Sequence, residues 1–519
     1  MNTLDDKTSP SNLRVISVFV LAMINVAAIA SLRGLPAMAE FGLSSVFYYI
    51  LIAIAFFIPT ALVSAELATG WPKRGGIYVW VKEAFGQRWG FLAIWLQWIQ
   101  NVVWYPTVLS FTAATFAYLF NPALASNPLF MVGTILLVYW GATLANFRGM
   151  KLSGWISTIG VVGGTMLPAL VIILLAGSWL IAGNQLQIEF TMEDLVPDFG
   201  NLSTIVLAAS VLLAFGGMEM SAVHAQEVKN PQKNFPRAIF MSTVIILLIF
   251  ILGTLSIAMV VPSEKISLVA GIMQAFTEFF NAYNIGWMVP ILAFLIVIGA
   301  AGQVSTWIVG PSKGLFATAS EGSLPPFFQK TNSNGVAVNL LFVQGGIVTL
   351  LALIFLFMPN VSSSYWILTV LTAQLYLIMY VLLFVSAIKL RYSRPDVPRA
   401  YRVPFGNIGM WIVAGLGLLA ALFGIFIGFF PPAQLQTGNL TFYESFLVVG
   451  ILLVVSVPLV LHHFRKPDWV ASRRNAMPMQ SLPKKKTKAE RITGYAKKKP
   501  GAKPKTRPKK KAKRPRKRG

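Results

Sequence analysis

"LLAFGGMEMSAVH", residues 212 to 224, sits inside an apolar run (202 to 225) long enough to cross a bilayer, yet it carries two glycines, a carboxylate and a histidine. Glycine loosens a helix, and an ionisable side chain at mid-bilayer costs roughly 2.5–3.5 kcal/mol on insertion scales. Phe215, Gly216, Gly217 and Met218 permit a helix to unwind for a residue or two. The backbone groups so released are tolerated only where they line a cavity, because lipid offers them no partner. The glycine pair alone reads more simply as close packing of helices through small residues. Glu219, directly after it, turns the reading toward a functional break, since a buried acid at such a place is a site candidate by default. His224 and Glu227, three apart, have ligand-like spacing, but the chain holds only three histidines and the other two are adjacent at 462 and 463. No metal centre is expected.

A second interruption lies in "AAIASLRGLPAMAEFG" (27 to 42), where Arg33, Gly34 and Pro36 fall late in the first apolar run, 15 to 39. Proline withdraws a donor and kinks the helix, while glycine permits the turn. Arg33 either snorkels to a surface or is held at depth inside the protein.

Outward from these two breaks, the composition is that of a polytopic membrane protein: 519 residues, 56% hydrophobic and 12% charged, with a mean hydropathy of +0.67. The absence of cysteine excludes disulfides, thiolate metal sites and cysteine nucleophiles. The first run is as long as a span and lacks a short h-region with a cleavage site, so a retained N-terminus is expected rather than a secretory signal. Applying the rule of about 20 apolar residues per span, twelve segments emerge: 15 to 39, 44 to 68, 89 to 119, 128 to 146, 155 to 182, 202 to 225, 237 to 261, 286 to 318, 338 to 358, 364 to 389, 408 to 430 and 442 to 464. An all-helical protein is expected, because spanning backbone must satisfy its own hydrogen bonds and no barrel-like alternation is present. Broken spans one and six are then matching members of two inverted five-helix repeats, one to five and six to ten. Interrupted helices at matching places point to a transporter site. Half-helix N-termini suit a carboxylate and C-terminal carbonyls an ammonium, together an amino acid zwitterion.

Basic residues crowd every second loop: Lys73, Arg74, Lys82 and Arg88; Arg148 and Lys151; Lys229, Lys233 and Arg237; Lys313 and Lys330; and Lys389, Arg391, Arg394, Arg399 and Arg402. The connection from 184 to 201 holds Glu189, Glu193, Asp194 and Asp198 without a Lys or Arg. The positive-inside rule places both termini in the cytoplasm of a multi-pass protein of the cell inner (plasma) membrane, in agreement with an even span count, which puts both on one side. The loop "GWPKRGGIYVWVKEAFGQRWG" (70 to 90) reads either as a segment dipping into the interface or as a plain surface loop.

Other spans supply candidate side chains. In "LQWIQNVVWY" (96 to 105), Gln97 and Asn101 stand four apart, with Trp104 and Tyr105 on nearby faces. "GAAGQVSTWIVGPSKG" (299 to 314) places Gln303 and Trp307 at i and i+4, and "QLYLIMYVL" (374 to 382) does the same for Tyr376 and Tyr380. Membrane aromatics are more often interfacial belts, but mid-span pairs beside polar partners also suit a binding pocket. No Walker loop, nucleophile elbow or dinucleotide fingerprint is present, so neither an enzyme nor a cofactor is expected.

Together these pieces resemble the amino acid, polyamine and organocation transporter superfamily over residues 12 to 465, through "AELATGWPKRGGIYVWVKEAFG" (65 to 86) and "EVKNPQKNFPRA" (227 to 238). Within it the chain is most similar to the bacterial glutamate/γ-aminobutyrate antiporter branch, through "SIAMVVPSEKISLVAGIMQAF" (256 to 276), "STWIVGPSKG" (305 to 314) and the sixth-span break. The resemblance implies Glu219 and Trp307 at the cavity or its gate, with Tyr376 and Tyr380 closing one side. It further implies exchange of an amino acid for its decarboxylated amine, which consumes protons when coupled to a decarboxylase. Many superfamily members have Gly-x-Gly in span one, where this chain has Ala27, Ala28, Ile29, Ala30 and Ser31. The α-carboxylate then falls to backbone amides there and at Gly34, with Arg33 as an added cation. Gln303 lies where an acid is expected in that branch.

Of the 43 Lys and Arg, 23 follow Phe464, against two acids, Asp468 and Glu490. The expected organisation is therefore a cytoplasmic segment 1–12, a transporter domain 13–465 and a disordered polybasic tail 466–519, without the plug pattern that the branch can carry. The tail suits anionic lipid headgroups, at about 1 kcal/mol per basic residue near the surface, or nucleic acid, or solvent alone; the first is preferred because the tail is tethered beside a leaflet. The expected function is amino acid antiport. Proton- or sodium-coupled uptake of an amino acid or polyamine, and a non-transporting sensor or scaffold, are the alternatives.

Overall fold

The computed structural model describes residues 16–73, 75–147, 162–197, 200, 205–206, 209–221, 228–433, 435–436, 438–466 and 469–470. His224, Glu227, the start of the fifth span and nearly all of the tail lie outside the described residues. The chain divides into two compact units, Met1–Ala471 and Ser472–Gly519. Among the described residues the fold is helical, with no strand beyond two isolated bridges, Ile16 to Val228 and Glu321 to Val470.

The first span is α1 (Val18–Ile29) and α2 (Leu35–Ala39), separated by non-helical residues. The second comprises α3 (Ser45–Ile52), a π-turn and α4 (Ile58–Gly70). Then come α5 (Ile77–Phe85), α6 (Gln87–Ala117), α7 (Pro128–Asn146), α8 (Leu167–Ile181) and the short surface helix α9 (Met192–Leu195). The sixth span is α10 (Ala209–Ala214) and α11 (Met218–Ser221). The remainder is α12 (Pro231–Val260), α13 (Gly271–Ala282), α14 (Met288–Ser320), α15 (Val338–Ala352), α16 (Val361–Ser393), α17 (Gly406–Ile427) and α18 (Leu440–His463). Asparagines start three of them, the carboxamide oxygens of Asn127, Asn360 and Asn439 accepting from the first free amides. Nine helices among the described residues are long and apolar enough to cross a membrane. The expected spans that fall short are the first, third and sixth: two are interrupted, and α6 carries Gln97, Gln100 and Asn101 in its buried middle.

The basic loops lie at one end. Lys82 pairs with Glu321 at 3.0 Å, Arg465 donates to Gln87, and Gln232 donates to the Arg402 carbonyl. Asn332 reaches the Phe147 carbonyl there. Residues 77 to 85 are not a plain surface loop; α5 buries Ile77, Tyr78, Trp80 and Val81 against α6 and α16. At this end Glu66 of α4 is 1% exposed and holds Arg391 of α16 at 2.6 Å, Arg399 at 3.4 Å and the Val403 amide at 2.7 Å. A buried acid with two guanidinium partners and a backbone donor is tightly bound to its place, since removing any partner leaves an uncompensated charge.

The other end is acidic. Glu40, in the turn after α2, is only partly exposed; its burial first and the Glu264 charge second push its carboxyl up from 4.5 to about 8. The native state then keeps a proton that the unfolded chain releases, so this group contributes stability that is present below 4.5 and lost as pH rises through about 8. The melting temperature of the purified protein is expected to fall over that window, and Glu40→Gln to flatten the fall. An unchanged slope in the variant would contradict the assignment.

Candidate functional site

The first-span break, α6, α10, α14 and α16 enclose a cavity. Its walls bring together Ser31, Arg33, Gly34, Gly216, Gln303, Trp307 and Tyr376 of the expected site, joined by Gln100, Asn101 and Trp104 of α6 and by Tyr49 and Phe250. The indoles of Trp104 and Trp307 pack against one another, tilted by 59° with centroids 6.0 Å apart. Ala30, Gly217, Met218, Glu219 and Tyr380 stand behind these walls and not on them.

Glu219 is 2% exposed and accepts three hydrogen bonds from neutral donors. Tyr376 and Gln97 donate to Oε1 at 2.6 and 3.0 Å, and Tyr380 donates to Oε2. The Tyr380 hydroxyl in turn accepts from the Gly217 amide at 2.7 Å. Gly217 has φ 120°, a conformation open to glycine and strained for other residues, so the turn between α10 and α11 exposes an amide that Tyr380 takes up. Gly216 is required for a different reason: a Cβ there would stand 2.7 Å from the Tyr376 ring. The sixth-span break is thus closed onto α16 by a chain of hydrogen bonds, and Glu219 meets the cavity through Tyr376.

Arg33 is 7% exposed and does not snorkel. Its Nη1 donates to Thr107 Oγ1 at 3.2 Å and to the Tyr365 hydroxyl at 3.1 Å, and its guanidinium carbon lies 6.0 Å from the Trp104 ring centroid and 5.7 Å from that of Tyr365. Its Nε is buried without a partner, and no carboxylate pairs with it among the described residues. A cation so placed has exchanged water for neutral oxygens and ring faces, which compensate only part of its desolvation. It is suited to receive an anion.

Sequence reasoning did not find Tyr49, Phe250, Thr107 or Tyr365. For Thr107 a signal exists, because extending the stripe of Gln97, Asn101 and Trp104 by three residues reaches it. For the others no local pattern distinguishes them from ordinary span aromatics.

Comparison with known proteins agrees with this architecture. A family model described as amino acid permease matches residues 13–454. An uncharacterised transporter of Legionella pneumophila is 47% identical over 445 residues, 86% of this chain and 96% of that protein. A glutamate/gamma-aminobutyrate antiporter of Lactococcus lactis is 34% identical over 473 residues, 89% of this chain and 94% of that protein. A putrescine transporter of Haemophilus influenzae is 24% identical over 416 residues, covering 79% and 91% respectively.

Proposed function

We propose that this chain, which belongs to the amino acid permease family, is a secondary active transporter that exchanges amino acids by alternating access. The observation that carries the substrate reading is Arg33, a buried guanidinium on the cavity wall with no acidic partner among the described residues. A substrate carboxylate supplies the missing charge, received by Arg33 and the backbone of Ser31 and Gly34, whereas Ala30, whose amide is spent on the Val26 carbonyl, only shapes the break behind them. Gln303 and Trp307 enclose the body of the substrate. Glu219 acts on its amine end through the Tyr376 and Tyr380 phenols, while Gly216, Gly217 and Met218 provide the break that allows this packing. The two interrupted helices support the reading as two five-helix repeats with breaks at matching places, and the antiporter name of a relative at 34% identity supports exchange.

The same reading places the protein in the cell inner membrane with both termini cytoplasmic, supported by the contacts that gather the basic loops at one end. The tail beyond Ala471 is assigned to anionic headgroups of the adjacent leaflet. Proteolytic protection of the tail by vesicles with anionic lipid, and not by neutral ones, is the expected result; equal protection in both would end that assignment.

The deciding experiment is counterflow. Proteoliposomes preloaded with one unlabelled amino acid are given radiolabelled candidates outside, at pH 5 and 7. Uptake that requires internal substrate is expected. Accumulation into empty vesicles on an ion gradient would favour coupled uptake instead, and no flux of any amino acid or polyamine would favour a sensor.

A further inference from the structure

Four of the spanning helices, α6, α12, α14 and α18, contain an interior proline, Pro106, Pro236, Pro311 and Pro458, whose missing N–H leaves the carbonyl four residues back without its helical donor. In α14 and α18 an aromatic side chain of α6 supplies the replacement. Trp95 Nε1 donates to the Val454 carbonyl at 3.0 Å opposite Pro458 in α18. Tyr105 donates its hydroxyl to the Trp307 carbonyl at 2.8 Å opposite Pro311 in α14. The first contact is remote from the cavity, whereas the second holds the backbone of a residue whose indole forms the cavity wall. Tyr105 itself is fully buried, lies behind that wall, and is braced by the Tyr139 ring at 5.3 Å.

We propose that Tyr105 is a positioning residue for substrate: by satisfying the carbonyl that Pro311 leaves open, its hydroxyl fixes the helix where Trp307 packs against Trp104 on the cavity wall. Tyr105 touches no substrate and acts through Trp307, so this inference rests on the site proposed above. Without the hydroxyl the Trp307 carbonyl is buried and unsatisfied. The proline offers a bend that relieves this, and the bend carries the indole away from its partner.

The proline makes the test specific. Tyr105→Phe is expected to raise the half-saturating concentration for counterflow about five- to tenfold, with the maximal rate per transporter changed less than about twofold. In Pro311→Ala, residue 311 regains an N–H aimed at the Trp307 carbonyl, so adding Tyr105→Phe there should shift half-saturation by less than about twofold. Pro311→Ser restores the same N–H and replaces the alanine variant if that one fails to reach the membrane.

The chain has no cysteine, so Gln100→Cys places a single thiol in the cavity, and its maleimide labelling rate reads cavity geometry without transport. Labelling altered by Tyr105→Phe only in the Pro311 background, in a protein that exchanges nothing, would keep the positioning role while the transport reading fails. Wild-type half-saturation in Tyr105→Phe, or an equal shift in both backgrounds, would overturn the proposal.

Discussion

Glu219→Gln is expected to lower amino acid counterflow by roughly 100-fold or more and to lower the melting temperature, although it changes one oxygen to nitrogen. All three partners of Glu219 donate to it. An amide nitrogen facing Tyr380 meets a hydroxyl that already accepts from the Gly217 amide. Turned the other way, it confronts Gln97 and Tyr376 together. Either orientation leaves at least one buried donor without an acceptor, at about 1–3 kcal/mol each. The loss falls on the hydrogen bonds that close the sixth-span break onto α16. Gly216→Ala tests the same packing without touching charge, since its methyl would meet the Tyr376 ring at 2.7 Å, and it should also abolish exchange. If Glu219→Gln leaves rate, selectivity and pH dependence as in the wild type, the assignment of this cluster to the site is wrong.

Arg33→Met should produce a loss of similar size for a different reason. Methionine fills much of the space and keeps contact with Trp104 and Tyr365, but it removes the charge that a substrate carboxylate meets. A charge-assisted contact in a dry cavity is worth about 1.5–3 kcal/mol, or up to about 100-fold in half-saturation. Arg33→Lys should not restore it, because one ammonium cannot reach Thr107 and Tyr365, lie against two rings and still present a planar donor edge. Arg33 also repels a diamine. Putrescine should therefore compete poorly in the wild type and measurably better in Arg33→Met. Wild-type amino acid exchange by Arg33→Met would remove Arg33 from the site.

The breaks were legible because glycine, proline and charge are costly in apolar helices, so Gly216, Gly217, Glu219 and Arg33 stood out against their surroundings. The pairs Gln303 with Trp307 and Tyr376 with Tyr380 were legible through helical spacing. Spacing reports which residues share a face, and it is silent on which neighbour that face meets. It therefore did not show that Tyr380 binds the Gly217 amide, that Glu219 stands behind Tyr376, or that Tyr365 holds Arg33 from 332 residues away. The Glu66 cluster was missed for the same reason. Its acid lies in "AELATG" and its arginines in a loop read only as a topology signal, and nothing local joins them.

That cluster has a mechanical consequence. A carboxylate locked to two guanidinium groups in a dry interior costs about 3–5 kcal/mol to pull apart from one side. The end of α16 that carries Arg391 therefore serves as a fulcrum on α4. Tyr365 stands 26 positions earlier on the same helix, about 39 Å away at 1.5 Å per residue. A swing of only about 5° around the pinned end displaces Tyr365 by roughly 3 Å over that lever arm. That is far more than the 3.1 Å hydrogen bond to Arg33 tolerates. Any rotation of α16 about that end therefore moves Tyr365, and with it the hydrogen bond to Arg33, further than it moves the packing beside Glu66.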